Sequence, residues 1–225
     1  MFRVLAINPG ATSTKIAVFD DESVVLKRTI EHQGVDLAPF DGLQAQLPYR
    51  LSLVERALDE GGVAVASLSA VVGRGGLLKP VAGGTYLVDE ALLEDVRTAR
   101  FGLHASNLGA QLASAVAAEA GVPAYVVDPV VVDEFEPVAR LSGMPDLPRQ
   151  SRSHALNCKA VARRAAADMG KPYEQVDLIV VHLGTGISVT AHRRGRMVDV
   201  NDAAEEGPFS PDRCGGLPSQ ALAKL

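Results

Sequence analysis

The chain opens with two apolar runs around a small polar one. Val4-Leu5-Ala6-Ile7 leads into Asn8, a Pro-Gly pair, small hydroxyl residues and Lys15, and Ile16-Ala17-Val18-Phe19 follows. This pattern predicts strands over 3–8 and 15–20 joined by a tight turn, with "DDES" at 20–23 turning the chain into Val24-Val25-Leu26. Residues 50–60 predict a helix, with Leu51, Val54 and Leu58 on one face and Gly61-Gly62 as its stop. A buried strand follows at 68–73, broken by "GRGG" at 73–76. Helices are expected over 89–100 and 107–120, and a short buried strand over 124–128. A further helix is expected over 153–170, with Ser153 as its N-cap and Gly170 as its stop. The strand at 176–183 runs into "GTG", and a hairpin bends around Arg193–Arg196.

Hairpins and crossovers therefore mix, which predicts α/β architecture with mixed sheets. The segment 139–151 has two prolines and little apolar periodicity. It is read as the junction between two domains, residues 1–150 and 151–225.

Composition narrows the functional classes. The 225 residues are 47% hydrophobic and 22% charged, ordinary for a globular protein. A net charge of −5 offers no basic field for nucleic acid or an acidic membrane, and the absence of Trp argues against base-stacking platforms. Cys158 and Cys214 have neither metal-ligand nor disulfide-framework spacing. No run approaches the ~18 apolar residues of a membrane helix. A cytoplasmic protein without nucleic-acid or membrane partners is expected.

The two strand–turn–strand units "VLAINPGATSTKIAVFD" and "LIVVHLGTGISVTAH" resemble each other. Small turns of this kind expose backbone N–H groups, which bind phosphate oxygens, and hydroxyls and a lysine add to the cradle. Each turn alone reads better as a plain β-hairpin. Two of them, one opening each half, shift the balance toward phosphate.

Six segments occur in one order: "INPGATSTK", "VVGRGGLLKPVAGGTY", "HASNLGA", "RQSRSHALNCKAVARR", "HLGTGISV" and "EGPFSPDRCGGLP". Together they resemble the butyrate kinases, a branch of the acetate kinase family in the sugar kinase, Hsp70 and actin superfamily. The resemblance runs along essentially the whole chain. It implies two domains on mixed five-stranded sheets closing over a cleft, the second incomplete here. It also implies phosphoryl transfer from ATP, with Mg²⁺, to butyrate or a similar short or branched carboxylate.

The same resemblance gives roles to residues. Asn8, Thr12, Ser13 and Lys15 line the first phosphate turn; Ala11 stands where the family usually has Ser. Asn8 otherwise reads as a turn residue and Lys15 as a solvated strand lysine. Arg74, among glycines that leave room for a ligand, would contact the acyl group and the phosphoryl; alone it reads as a turn arginine. Asp128 ends a strand and would orient Mg²⁺ or an arginine, with Asn8 as a second contact to the metal; alone it reads as an Asp opening a turn. His154 would face the transition state, and Arg213 would complete an arginine clamp or else pair with Asp212. His182, Gly184, Thr185 and Gly186 form the second phosphate turn. His104 ranks below His154, and Cys214 has no base at a known spacing. A homodimer or higher oligomer is expected.

A non-catalytic phosphate-binding remnant and an acetate kinase are the competing readings. Family members continue beyond "PSQALAKL", where this sequence stops. Weak nucleotide binding, negligible turnover and association through an open sheet are therefore expected of these 225 residues.

Overall fold

A computed structural model describes all 225 residues. The chain forms two compact units, Met1–Lys79 with Gly84–Pro129, and Pro80–Gly83 with Val130–Leu225.

The first unit is built on a six-stranded sheet. Strands β1 (Arg3–Pro9), β2 (Ser13–Asp20) and β3 (Ser23–Glu31) form an antiparallel meander. Strand β4 (Ala70–Gly73) runs parallel to β1, and β6 (Ala124–Val127) parallel to β4. The short β5 (Thr85–Leu87) closes the edge antiparallel to β6, giving the order β3-β2-β1-β4-β6-β5. Four helices accompany the sheet: α1 (Gly34–Leu37), α2 (Leu47–Glu60), α3 (Glu90–Arg97) and α4 (Asn107–Ala120). Val54 and Leu58 of α2 and Leu108, Leu112 and Val116 of α4 pack with Leu5, Ile7, Ile16, Val18 and Val71 of the sheet. Each such side chain contributes about 1.5–3 kcal/mol on burial.

The second unit has a three-stranded antiparallel sheet of β7 (Asp177–Leu183), β8 (Ile187–Arg193) and β9 (Arg196–Val200). The resemblance implies five strands in each domain; the units carry six and three. Helix α5 (Ala155–Asp168) covers one face, setting Cys158, Ala162 and Ala166 against Leu178 and Val180. On the other face Ile179, Val181, Leu183 and Val189 are exposed. A buried ion pair, Lys159 Nζ to Glu134 Oε2 at 2.7 Å, braces the unit. Glu134 also accepts from the backbone N–H of Gly83 (3.0 Å) and Met197 (2.6 Å). One carboxylate thus ties together α5, β9 and the Pro80–Gly83 segment.

The structure differs from the sequence expectation at two boundaries. The units part at Pro129–Val130, and the segment expected as a junction, 139–151, folds within the second unit. Its anchor is Arg149, which donates to Asp199 Oδ1 and to the carbonyls of Ala139 and Val200, and pairs with Glu206. Arg140 adds a forked pair with Asp133, and the Ser151 hydroxyl donates to the Val132 carbonyl, so polar side chains rather than an apolar stripe hold this proline-rich, aperiodic segment. Helix α5 begins at Ala155 with His154 at the N-cap position and no side-chain cap. Ser153 does not cap it, because its backbone N–H goes to the Val130 carbonyl and its hydroxyl is buried against Met197 Sδ at 3.9 Å. No helix is long and apolar enough to cross a membrane.

Candidate functional site

In the first unit the polar turn joins β1 to β2. The Gly10 N–H donates to the Ser13 carbonyl at 2.7 Å, and Asn8 lies opposite Lys15 in the strand register. Asn8, Ala11, Thr12 and Lys15 are exposed. Strand β4 ends beside β1, and the Arg74 N–H continues that ladder to the Ile7 carbonyl at 2.9 Å. This places the Arg74 guanidinium within reach of Asn8, with Nη1 donating to Oδ1 at 3.3 Å. Burial pushes the Arg74 pKa down from its ordinary value, yet a guanidinium stays cationic at neutral pH.

Asp128 follows β6, next to β4. It is buried, takes a positive φ of 39°, and accepts from the Gly84 N–H at 2.8 Å. Such a backbone conformation is unfavourable for a non-glycine residue and needs surrounding structure to hold it. Asn8, Arg74 and Asp128 therefore stand at the carboxyl ends of three parallel neighbours, where open α/β sheets bind ligands.

The glycines around Arg74 serve packing instead of leaving room for a ligand. A Cβ at Gly73 would lie 2.1 Å from the Gly109 carbonyl oxygen, and one at Gly76 would lie 2.6 Å from Asn107 Oδ1. Backbone of α4 approaches the strand end there, which fixes where Arg74 begins.

In the second unit the turn joins β7 to β8. The Gly184 N–H donates to the Gly186 carbonyl at 3.2 Å. The Thr185 carbonyl accepts from the Ser210 hydroxyl (2.6 Å) and the Asp212 N–H (3.2 Å). Arg213 follows, exposed, and donates to the Asp212 carbonyl at 3.0 Å; it makes no ion pair with the Asp212 carboxylate.

Two imidazoles lie beside this turn. The rings of His154 and His182 stack at 3.9 Å and 10°. His154 Nδ1 meets Ser188 Oγ at 3.0 Å, and His182 Nδ1 meets Asn157 Nδ2 at 2.9 Å. With the Asn157 amide as donor, the His182 proton sits on Nε2. That atom would be 2.8 Å from a Cβ at Gly184, and a Cβ at Gly186 would be 3.2 Å from His154 Cε1. The turn glycines admit the histidine pair. His104 is engaged at the start of α4, where Nδ1 meets the Ser106 hydroxyl at 2.8 Å. The exposed Cys214 bonds only to the neighbouring Gly215 carbonyl at 3.4 Å.

No group of three or more His, Cys, Asp or Glu could hold a metal ion. The residues fit a magnesium ion carried in on nucleotide phosphates, which needs only one or two protein contacts, and not a cage made by protein alone.

Residues 148–203 match the acetokinase family model. The chain is 55% identical over 224 residues to a probable butyrate kinase of Coprothermobacter proteolyticus, covering 99% of this chain and 63% of that protein. It is 51% identical to butyrate kinase 1 of Clostridium acetobutylicum, covering 100% of this chain and 64% of that protein. These similarities are to members of the acetate kinase family. The crystal structure of Porphyromonas gingivalis acetate kinase shares its fold with a TM-score of 0.73 at 18% identity, over 100% of this chain and 64% of that one. The chain thus spans a little under two thirds of the length of these relatives.

Several residues that shape this acetate kinase fold escape a reading of motifs. Arg50, His32 and Thr14 form a buried cluster beneath the first turn, and Glu134 and Lys159 brace the second unit. A signal for Arg50 does exist: it lies four and eight residues before Val54 and Leu58, on the buried stripe of α2. Lys159 likewise shares the buried stripe of α5 with Cys158, Ala162 and Ala166. A cation on an apolar stripe marks a buried polar partner.

Proposed function

We propose that the chain is the phosphate- and acyl-handling part of a carboxylate kinase that transfers the γ-phosphoryl of ATP to butyrate or a similar short or branched acid. The observation that carries this reading is the Arg74–Asn8 contact at 3.3 Å, which joins the polar turn to a guanidinium at the strand ends. The names of the relatives support the substrate class.

A carboxylate is already an anionic nucleophile at pH 7, so no general base is needed. Its oxygen forms a bond to the γ-phosphorus as the bond from that phosphorus to the β–γ bridging oxygen breaks, giving acyl phosphate and ADP. The transferring group has little covalent chemistry for a protein to perform, so positioning and charge neutralisation dominate. Arg74 and Arg213 supply forked cations, and His154 donates to an equatorial oxygen. Asn8, Thr12, Ser13 and Lys15 in one turn, and His182, Gly184, Thr185 and Gly186 in the other, hold phosphate oxygens. Magnesium bound to the nucleotide would neutralise phosphate charge, with Asn8 and Asp128 nearest the role of orienting it. The two units, which part at Pro129–Val130, are the functional halves of this scheme. A homodimer or higher oligomer belongs to the same reading, as does the cytoplasm, which suits the two free cysteines.

The test is hydroxamate trapping with ATP, Mg²⁺ and hydroxylamine in a protein of the relatives' full length carrying this sequence. Butyrate should give more acyl hydroxamate than acetate. Arg74→Ala should lower the rate by roughly 100-fold or more, as loss of an oxyanion donor does, and Arg74→Lys should not restore it fully. A preference for acetate, or an Arg74→Ala protein with the parent rate, would overturn the proposal.

A further inference from the structure

Arg50 is fully buried and has no carboxylate partner. Its side chain is 0% exposed, and all of its bonds go to neutral oxygens. Nη1 donates to the Gly10 carbonyl (2.9 Å) and to Thr14 Oγ1 (3.1 Å). Nη2 donates to the Ala11 carbonyl (3.2 Å) and Gln46 Oε1 (2.9 Å), and Nε donates to the same Gln46 oxygen at 3.1 Å. A buried charge without a counter-ion is costly, and proteins usually pair it.

The geometry of the peptide unit says what this arrangement achieves. In a trans peptide the C=O and the following N–H point in opposite directions. With the Gly10 and Ala11 carbonyls drawn inward to Arg50, the N–H groups of Ala11 and Thr12 face outward. Both residues are exposed, and neither N–H donates to a protein acceptor. Two aligned, free donors above a buried cation make an anion cradle. His32 reinforces the absence of a counter-ion. It is buried, its Nε2 meets Thr14 Oγ1 at 2.8 Å, and its Nδ1 has no partner. Burial, and then the charge of Arg50, push its pKa down, so it stays neutral at pH 7.

We infer that Arg50 is a positioning residue for the first turn: its fork presets the Ala11 and Thr12 amides, and its uncompensated charge is balanced by the phosphate oxygens of the ligand. This deepens the nucleotide-phosphate reading and rests on it for the identity of the ligand, but the cradle itself is defined by protein geometry. Arg50 touches no reacting atom.

The test is a titration of the 225-residue chain with inorganic phosphate, followed by amide nitrogen–proton resonances. The Ala11 and Thr12 amides and the Arg50 Nε–H should move with one midpoint. Arg50→Met, which keeps apolar bulk, should weaken phosphate binding by roughly tenfold or more, and Arg50→Lys should fall between, because it keeps charge without the fork. A merely structural Arg50 would lower the unfolding midpoint of the variants and leave phosphate affinity unchanged in folded protein. Parent affinity in folded Arg50→Met or Arg50→Lys would overturn the inference. If neither variant folds, the parent resonances decide: silence of Ala11, Thr12 and Arg50 under phosphate overturns it. Movement of these three resonances, with no acyl hydroxamate formed by a protein of the relatives' full length, would sink the kinase reading and leave the cradle standing.

Discussion

The turn at residues 8–15 belongs to a sheet of six strands, and Arg50 grips two of its carbonyls from below. The turn at 184–186 belongs to a sheet of three strands whose outer face exposes Ile179, Val181, Leu183 and Val189. Its supports are a stacked histidine pair and a loop that reaches Thr185 through Ser210 and Asp212. Similar sequence in the two turns thus sits on unequal foundations. The first is shaped before any ligand arrives; the second is held by exposed polar contacts, which are worth less because water competes for them. A turn motif shows which groups face a ligand. Residues distant in sequence set how firmly those groups are held.

Breaking the buried brace of the second unit should have the largest effect. Lys159→Met leaves Glu134 as an uncompensated buried charge and should cost about 3–5 kcal/mol in urea unfolding. Adding Glu134→Leu should recover much of that loss. A single variant within about 1 kcal/mol of the parent would show that packing of α5, not the ion pair, holds this unit.

Acid should expose the same dependence. His192 is buried between Tyr173 and Thr190, with contacts of 2.6 Å from Tyr173 Oη to Nδ1 and 2.7 Å from Thr190 Oγ1 to Nε2. Burial, reinforced by Lys159 and Arg163 and opposed by Glu134, pushes its pKa down from 6.5 to about 4. The unfolded chain therefore takes up this proton first as the pH falls. Stability is complete above about pH 6.5 and drains toward about pH 4, by at most about 3 kcal/mol from this group. His32 acts in the same direction in the first unit. Unfolding midpoints that stay level between those two pH values would contradict a neutral, buried His192.

Glycine substitutions sharpen the contrast between the turns. Gly73→Ala drives a methyl group into the backbone of α4, where Gly109 cannot retreat, and should cost about 2–3 kcal/mol. Gly186→Ala meets only the edge of the His154 ring at 3.2 Å and should cost less than about 1 kcal/mol. Comparable losses by thermal unfolding would mean that the two corners are equally rigid. The smallest stability effect belongs to the open sheet face: Val181→Thr should change stability by less than about 0.5 kcal/mol. It should nonetheless reduce self-association in sedimentation, since exposed apolar patches of this kind favour contact between copies.

Much of the fold was legible because its elements repeat an apolar period. The β1–β2 hairpin, the buried faces of α2 and α4, and the β8–β9 hairpin all follow such runs. Strand β5 escaped because Thr85–Leu87 is a short edge with one partner, set by tertiary contact instead of pattern. The units part earlier than the aperiodic segment suggests because polar anchors, Arg140, Arg149 and Ser151, leave no periodic trace. Among the candidate site residues, sequence brought forward those in exposed turns, and the buried Asp128 at a strand end. It passed over Arg50, His32 and Glu134, whose partners lie up to 63 positions away, as from Glu134 to Met197.

Hydrogen exchange of the 225-residue chain with and without Mg-ATP is the most direct single test of two phosphate-binding turns of unequal firmness. Exchange should slow at residues 8–15 and at 182–188 when Mg-ATP is present. In the first segment the change should centre on Ala11 and Thr12, whose N–H groups have no protein acceptor. Protection confined to regions outside both turns, or none at all, would contradict the assignment of these turns to nucleotide phosphate.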